Sequence, residues 1–486
     1  MKSKKKPIKK PARAHTKVLK KSALKKPKKK STQKKHRWFA QASVRYPEGN
    51  VLLRNLSRDY PVISRGDGLY LFDTTGKKYL DASGGALVVS IGHGNREVAL
   101  KIFKQMSRVG YVNGTQFTSS VMERLATKLV ARAPKGLNRV ALLSSGSEAV
   151  EAAVKFVRQL WVERGQTQKS KFIARSPGYH GNTLYALSAS ARPYYRKFFG
   201  PLLSDVVMIP STYGYRSLVN DYETQGAAYY AGLLEKAIVD AGAENVAGFL
   251  VEPVIGSSAG AALPPSGYFK LVQEICRKHN VLIIADEILC GSGRTGKFFA
   301  SEHFGLEPDV VVMGKGINGG LCPVSCVLVK QEHVDEMKKG SGGFMHAQTY
   351  LQSPTMAATA LAVLDYFDDH KLVSNCAKVG EYFHKLLKEK IAPLKGVGNV
   401  SGLGLLAGVE FVEDKKSKKP FDRSKKMVEG FLAHAFSRGL VLWPNTGHAD
   451  GVNGDLVMLG PPLTINKSQA AEIVDLLADC IQSFFG

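Results

Sequence analysis

The stretch Asp309-Val-Val-Val-Met-Gly-Lys315-Gly-Ile-Asn-Gly-Gly320 places a lysine between two glycines, directly after a short apolar run. A second apolar run, Val281-Leu-Ile-Ile-Ala285, lies upstream and leads into Asp286-Glu287. Both runs predict buried strands, so an amine and a carboxylate each follow the end of a strand. A lone lysine is most often a solvated surface residue. A functional role for Lys315 therefore depends on what the neighbouring strand ends carry.

The predicted elements favour an α/β fold with two domains. A chain of 486 residues is too long for one ordinary core. Apolar strands alternating with helices over residues 96–345 predict a large domain around a mostly parallel sheet. Residues 38–95 carry hairpin signals and are assigned to a smaller domain, together with the α+β pattern of residues 346–486. The predicted strands of the large domain are Val140–Leu143, Phe172–Ala174, Val246–Val251, Val281–Ala285 and Val310–Met313.

Five successive predicted strand ends carry polar or aromatic groups, which core packing alone does not predict. They are Ser144–Glu148, Pro177–Gly181, Glu252-Pro253, Asp286-Glu287 and Lys315. Ligands of open α/β sheets bind beyond the carboxyl ends of the strands. By itself the first cluster could be an ordinary helix N-cap, and Tyr179 a packed turn residue. Together, however, a phosphate-binding helix N-terminus, a stacking ring, a carboxylate and a lysine predict a pyridoxal phosphate site.

The positive charge of the chain is concentrated at its N-terminus. The formal net charge is +27, and 18 Lys and Arg residues fall within residues 1–37, with no Asp or Glu before Glu48. Residues 1–37 are therefore predicted to be a disordered basic tail, with ordered chain from about Trp38. Such a tail favours association with nucleic acid or another acidic surface through its charge. The alternative is a solvated segment without a function.

The cysteines and the apolar runs predict a cytoplasmic protein. The six cysteines form no CxxC pair, and the spacing of Cys322 and Cys326 is a poor match to a metal site, so reduced core thiols and no bound metal are expected. No run approaches the ~20 apolar residues that span a bilayer. The N-terminal lysines precede no apolar segment of a secretory signal. A membrane partner is therefore not expected.

From about Trp38 to its end, the chain resembles the class III aminotransferases, pyridoxal phosphate enzymes of fold type I. The resemblance rests on six motifs that occur in the family's order. They are Ser-Gly-Ser-Glu-Ala at 145–149, Gly-Tyr-His-Gly at 178–181, Glu-Pro at 252–253, Asp-Glu-Ile-Leu-Cys-Gly-Ser-Gly-Arg-Thr-Gly at 286–296, Gly-Lys-Gly at 314–316 and His-Ala-Gln-Thr-Tyr at 346–350. The basic tail lies outside this resemblance.

The resemblance implies a role for each candidate site residue. Lys315 would be the Schiff-base lysine and proton carrier, and Asp286 would pair with the ring nitrogen. Gly146 and Ser147 would bind the phosphate, while Tyr179 and Ile288 would cover the two ring faces. Glu252 matches a position near the substrate. Thr349 is similar to a phosphate ligand that the neighbouring subunit donates, which implies a homodimer with shared active sites; a tetramer is an open alternative.

The chain departs from the family pattern at positions that bear on the substrate. Leu289 stands where relatives commonly have glutamine, and Gln348 and Ser353 stand where the usual motif has histidines. No arginine follows Arg438, although many relatives bind a substrate carboxylate through an arginine in the C-terminal domain. Another arginine, such as Arg192 or Arg196, would then bind it, or the substrate is bound differently.

The implied activity is transfer of an amino group from an amine or ω-amino acid to a 2-oxo acid such as pyruvate or 2-oxoglutarate. Lys315 and Asp286 also serve other pyridoxal phosphate reactions. An aminomutase, a decarboxylating transaminase and a phospholyase therefore remain alternatives. A second alternative, of a different class, is a nucleic-acid-associated protein that binds through residues 1–37.

Overall fold

The computed structural model describes residues 42–486. The predicted basic tail of residues 1–37 and the predicted start of order near Trp38 lie outside these residues. The described chain divides into two compact units, one ending at Val62 and the other comprising Ile63–Gly486. In the first unit, residues Ser43–Val44 pair in antiparallel fashion with Tyr60–Pro61. The predicted domain boundaries at residues 95/96 and 345/346 stay predictions.

The described residues alternate between strands and helices along most of the chain. The strands are β1 (Ser43–Val44), β2 (Tyr60–Pro61), β3 (Ile63–Asp67), β4 (Tyr70–Asp73), β5 (Lys78–Asp81), β6 (Leu137–Leu143), β7 (Lys171–Ser176), β8 (Val207–Pro210), β9 (Val246–Val251), β10 (Leu282–Asp286), β11 (Val310–Met313), β12 (Ser325–Lys330), β13 (Val397–Leu403), β14 (Leu406–Phe411), β15 (Leu440–Val441), β16 (Trp443–Thr446) and β17 (Asp455–Leu459). The helices are α1 (Gly84–Leu87), α2 (Arg96–Met106), α3 (Ser120–Val130), α4 (Gly146–Glu163), α5 (Leu184–Ser188), α6 (Pro193–Arg196), α7 (Tyr222–Asp240), α8 (Tyr268–Lys278), α9 (Gln331–Lys339), α10 (Pro354–Asp369), α11 (Leu372–Leu386), α12 (Met427–Ser437) and α13 (Lys467–Phe485).

A seven-stranded sheet forms the centre of the larger unit, in the order β6-β12-β11-β10-β9-β7-β8. The pairs among β11, β10, β9, β7 and β8 are parallel, and β12 is antiparallel to both of its neighbours. β9, β10 and β11 are buried along their whole length, as strands covered on both faces must be. The predicted mostly parallel α/β sheet is confirmed.

The sequence prediction of five successive strands was wrong in one respect, because β8 lies between β7 and β9 in the chain. β8 is only four residues long, ends in Pro210 and pairs on one side only, at the edge of the sheet. Its short apolar run gave no clear signal. The missed strand does not change the predicted position of the site, because β8 carries none of the predicted site residues.

Two smaller sheets account for the remaining strands of the larger unit. β13, β14, β17 and β16 form an antiparallel sheet. β3, β4 and β5 form an antiparallel meander, and β15 adds to β5 in parallel. Strands from residues 63–81 therefore share a sheet with residues Leu440–Val441, which are distant in sequence. No helix among residues 42–486 is long and apolar enough to cross a bilayer.

Helix α4 is fixed against the central sheet by its apolar face. The residues predicted to form this face, Ala149, Val150, Ala153, Val154, Val157, Leu160 and Trp161, are all buried. The indole Nε1 of Trp161 donates a hydrogen bond of 2.8 Å to the carbonyl oxygen of Ala247 in β9. This anchoring holds the N-terminus of α4 at the carboxyl edge of the sheet, where the candidate site residues lie.

Candidate active site

A cavity of about 160 Å³ lies at the carboxyl edge of the central sheet. The structure brings seven of the eight predicted site residues to its wall. The lining residues are Gly146, Ser147, Tyr179, His180, Gly181, Glu252, Ser257, Asp286, Ile288, Leu289 and Lys315. They come from the loops after β6, β7, β9, β10 and β11, as the positions of the strand ends predict.

Lys315 follows β11 after a single glycine and begins a short 3₁₀ turn. Its φ angle is +44°, a left-handed value that is unusual for a side chain larger than glycine. Such a backbone conformation costs of order 1–3 kcal/mol and is found at functional sites. Burial lowers the pKa of the Lys315 amine, and the nearby carboxylates of Asp286 and Glu252 oppose this shift. The site therefore favours the uncharged, nucleophilic form of the amine more than solvent does.

Asp286 ends β10 and is only 4 % exposed. Its Oδ1 accepts a hydrogen bond of 3.0 Å from the backbone N–H of Ile288, and its Oδ2 lies 2.7 Å from Nδ1 of His180. Because Nδ1 faces a carboxylate, we assign the ring proton to this nitrogen, which then donates. His180 is itself buried, and its backbone N–H donates to Oγ of Ser190. The carboxylate is therefore held in one orientation within the cavity.

Glu287, the neighbouring acid, faces away from the cavity. Its carboxylate accepts hydrogen bonds from the backbone N–H groups of Ala300 and Ser301 and from the Ser301 hydroxyl. Successive side chains at a strand end point to opposite sides, so only one of the two acids can reach the site. Asp286 is the one that does, and Glu287 holds the loop at residues 300–301.

Glu252 follows β9 and contacts the backbone of two loops at the cavity wall. Its Oε1 accepts from the N–H of Tyr179 at 3.2 Å, and its Oε2 accepts from the N–H of Gly256 at 2.8 Å. Burial raises the pKa of this carboxyl group. Glu252 thus positions the loop that carries the Tyr179 ring. Its predicted contact with substrate stays a prediction.

Gly146 and Ser147 lie in the first turn of α4 and line the cavity. A Cβ on Gly146 would lie 2.9 Å from Cδ1 of Ile288, so a larger residue there would displace the Ile288 side chain. The Ser147 Oγ accepts a hydrogen bond of 3.0 Å from the N–H of Asn182, which leaves its own proton free to donate. Free N–H groups, the helix dipole and a hydroxyl donor together suit a phosphate.

The residues present fit pyridoxal phosphate. Anion-binding donors lie at the N-terminus of α4, and Lys315 and Asp286 line the same cavity. Tyr179 and Ile288 add an aromatic ring and an apolar side chain to the lining. The donor set matches the phosphate, aldehyde and ring nitrogen of this cofactor.

Thr349 is the predicted site residue that the structure does not bring to the cavity. It is exposed, and it lies in the segment before α10. The hydroxyl of Thr355 donates to the carbonyl oxygen of Gly110 at 2.8 Å, and the N–H of Gln352 donates to the carbonyl oxygen of Leu142. This segment is therefore tied to the chain after α2 and to the end of β6.

Besides Gly181 and Leu289, three residues at or beside the cavity were given no definite role in the cofactor site from sequence. His180 lies within the Gly-Tyr-His-Gly motif at 178–181, and its place beside Tyr179 was the available signal. Arg192 was named only as one of two alternative carboxylate ligands. Ser257 carried no signal, because a serine in a small-residue loop is common.

Comparison with known proteins identifies the family. The family profile described as aminotransferase class-III matches residues 55–481. An uncharacterized aminotransferase of Bacillus subtilis is 39% identical over 426 residues, covering 88% of this chain and 96% of that protein. The chain belongs to the class III aminotransferases. It is therefore a pyridoxal phosphate-dependent aminotransferase of fold type I.

Two further relatives match this aminotransferase over most of its length. The putrescine–pyruvate aminotransferase of Pseudomonas aeruginosa is 33% identical and covers 86% of this chain and 90% of its own. A thermostable (S)-enantioselective omega-transaminase from Thermomicrobium roseum has a solved structure with a TM-score of 0.84 and 32% identity. That structure covers 91% of this chain and 97% of its own. The resemblance seen in the sequence motifs is confirmed over the main body of the aminotransferase.

Proposed function

We propose that this enzyme moves an amino group from an amine or ω-amino acid to a 2-oxo acid such as pyruvate or 2-oxoglutarate. The observation that carries the proposal is the meeting of Lys315 and Asp286 at one cavity, from strands β11 and β10. The name of the Pseudomonas aeruginosa relative supports an amine donor and pyruvate as acceptor. An aminomutase, a decarboxylating transaminase or a phospholyase would use the same two residues, but no described feature favours one of them.

Each residue has a proposed task when the cofactor is bound. Pyridoxal phosphate supplies an electron-accepting ring next to the reacting carbon. The ε-amine of Lys315 would hold the cofactor and would carry the proton that moves during the reaction. Asp286 would stabilise a proton on the ring nitrogen, and His180 would keep Asp286 oriented.

The remaining contacts hold the cofactor in place. Gly146 and Ser147 would bind the phosphate, and Tyr179 and Ile288 would cover the two faces of the ring. The lowered pKa of Lys315 favours the uncharged amine that must accept a proton. Glu252 contributes by fixing the backbone of Tyr179.

We also propose a homodimer in which Thr349 completes the partner's site. Thr349 is exposed and lies beside Tyr350, whose ring contacts Tyr111 with centroids 6.0 Å apart. The same segments expose several large apolar side chains: Leu100, Phe103, Met106, Tyr111, Phe117, Met345 and Tyr350. An exposed apolar surface of this kind is typical of a protein interface. A second copy of the chain covering it would bring a Thr349 to each phosphate site.

We propose a cytoplasmic location on the basis of the cysteines. All six are free, and five of them are buried. Association of residues 1–37 with nucleic acid or acidic surfaces stays a prediction, because those residues lie outside the described chain.

A half-reaction screen tests the proposed activity. The holoenzyme is mixed with single candidate donors, such as 1,4-diaminobutane, 4-aminobutanoate and L-alanine, without an acceptor. A productive donor converts the cofactor to pyridoxamine phosphate, which is followed by absorbance. Pyruvate or 2-oxoglutarate then restores the original spectrum. Conversion that neither 2-oxo acid reverses would contradict the proposal.

A further inference from the structure

Arg192 is a buried cation beside the cavity. The residue is 7 % exposed, and its Nη2 donates to the hydroxyl of Ser257, which lines the cavity. Its guanidinium carbon lies 4.4 Å from the centre of the Tyr179 ring. The Nε of Arg192 has no hydrogen-bond partner. Among the described residues, no Asp or Glu forms a salt bridge with it.

Two other arginines of this region, Arg196 and Arg175, already donate to protein groups. The Nη1 of Arg196 donates to three backbone carbonyl oxygens, those of Leu187, Ser188 and Ser190. Arg175 donates to the hydroxyl of Thr212 and to the carbonyl oxygen of Glu252. Neither guanidinium can turn to a ligand without leaving buried carbonyl groups unpaired. Arg192 is the one that retains a buried, unused donor.

The positive charge of Arg192 affects the pKa of the Lys315 amine. Burial lowers the pKa of the Arg192 guanidinium, and the positive charge of Arg192 contributes to the lowered pKa of Lys315. An arginine nevertheless stays protonated at neutral pH. The Glu252 carboxylate offsets part of the cost of burying Arg192 but forms no salt bridge with it, so a carboxylate ligand would stabilise this buried cation further. The cavity wall therefore favours binding of an anion close to Lys315.

We propose that Arg192 binds the carboxylate of the 2-oxo acid substrate, with the hydroxyl of Ser257 beside it. The inference rests on the proposed function and names the residue that recognises the acceptor. Every 2-oxo acid has a carboxylate next to its reacting carbonyl group, whereas a simple amine donor has none. Loss of Arg192 should therefore affect the two halves of the reaction unequally.

The test measures each half-reaction separately in the holoenzyme and in an Arg192→Gln variant. With pyruvate as acceptor, we expect the second-order rate constant to fall about 10- to 100-fold, the range for losing hydrogen bonds to a charged group. The reaction with 1,4-diaminobutane, and that of the pyridoxamine form with propanal, should change less than about 3-fold. Arg192→Lys should restore part of the pyruvate rate, because it keeps the charge but not the bidentate geometry.

Lys197→Gln provides the matched control, because it removes an exposed positive charge five residues away. We expect wild-type rates with all three compounds. Equal losses with pyruvate and propanal in Arg192→Gln would overturn the inference, since they would indicate a general structural defect. An unchanged pyruvate rate would overturn it as well.

A binding measurement separates this inference from the proposed function. Propionate and its uncharged amide, propionamide, are titrated into the holoenzyme while the cofactor spectrum is recorded. Arg192→Gln should weaken propionate binding about 10-fold or more and leave propionamide unaffected. If the wild-type enzyme transfers no amino group to pyruvate, the proposed function fails, yet this titration still decides whether Arg192 binds a carboxylate. Equal propionate affinity in the wild-type enzyme and the Arg192→Gln variant would contradict the inference that Arg192 binds a carboxylate.

Discussion

Nδ1 of His180 lies 2.7 Å from Oδ2 of Asp286, although the two residues are 106 positions apart in the chain. Both side chains are buried, so the hydrogen bond is shielded from water. Asp286 also accepts from the N–H of Ile288, and these two bonds fix the plane of its carboxylate. We therefore propose that His180 is a positioning residue that would act on the cofactor through Asp286.

Replacing His180 with leucine should slow transamination about 10- to 100-fold through kcat, because a hydrogen bond to a charged group contributes about 1.5–3 kcal/mol. His180→Asn should retain more activity, since its amide can still donate. The effect should disappear in an Asp286→Asn background, because His180 acts through that carboxylate. Steady-state kinetics of the two single variants and the double variant would measure this. Losses that multiply in the double variant would contradict the assignment.

The pH dependence of cofactor capture should report the charge of Asp286. Only the uncharged Lys315 amine attacks the aldehyde, so capture of pyridoxal phosphate by apoenzyme accelerates as pH rises through the pKa of Lys315. Burial lowers this pKa from the usual 10.5, and the Asp286 carboxylate raises it in part. Asp286→Asn removes the raising contribution, so the midpoint should move to still lower pH. Capture rates followed by absorbance across the pH range test this, and an upward shift would contradict it.

Gly181→Ala should destabilise the enzyme and weaken cofactor binding. The φ angle of Gly181 is +141°, and a Cβ there would lie 2.5 Å from Oγ of Ser147. Strain and overpacking together cost about 1–3 kcal/mol or more. Gly165→Ala is a matched control, because its φ angle is also positive, at +72°, but no atom lies within 4 Å.

Thermal unfolding and pyridoxal phosphate titration of the two glycine variants separate crowding from backbone strain. Both variants should lower Tm, but only Gly181→Ala should weaken cofactor binding, because only its methyl group displaces Ser147. Equal cofactor affinity in Gly181→Ala and the wild type would show that Ser147 does not bind the phosphate.

The sequence predicted the parts of the fold that have strong local patterns. β9 and β11 are continuous runs of buried apolar residues, and α4 has a clear apolar face, so both types of element were found with nearly correct bounds. β8 and the antiparallel β12 were not assigned, because neither short run shows the apolar–polar alternation of a half-buried strand.

The sequence predicted which residues of the candidate site lie at strand ends. This was possible because the carboxyl ends of parallel strands meet at one edge of the sheet. The contacts between loops could not be predicted. The bond of His180 to Asp286 and the choice of Arg192 over Arg196 depend on how distant loops fold against each other. A local pattern in the sequence contains no signal for either.

Thr349 should act across a subunit interface. Inactive Lys315→Ala and Thr349→Ala proteins are mixed under conditions that exchange subunits. A hybrid dimer then contains one site with both residues intact, so random exchange should recover about one quarter of wild-type activity. Mass spectrometry of intact dimers verifies exchange. Hybrids that form without a gain in activity would place Thr349 in the site of its own chain.

The identity of the cofactor lysine is the central claim, and peptide mapping after borohydride reduction tests it most directly. Reduction fixes pyridoxal phosphate covalently to the amine that holds it, and digestion followed by mass spectrometry locates the adduct. We expect the phosphopyridoxyl group on Lys315, and none on the protein in a Lys315→Ala variant that keeps the wild-type fold by circular dichroism. A stoichiometric adduct on any other lysine of the wild-type enzyme would contradict the account.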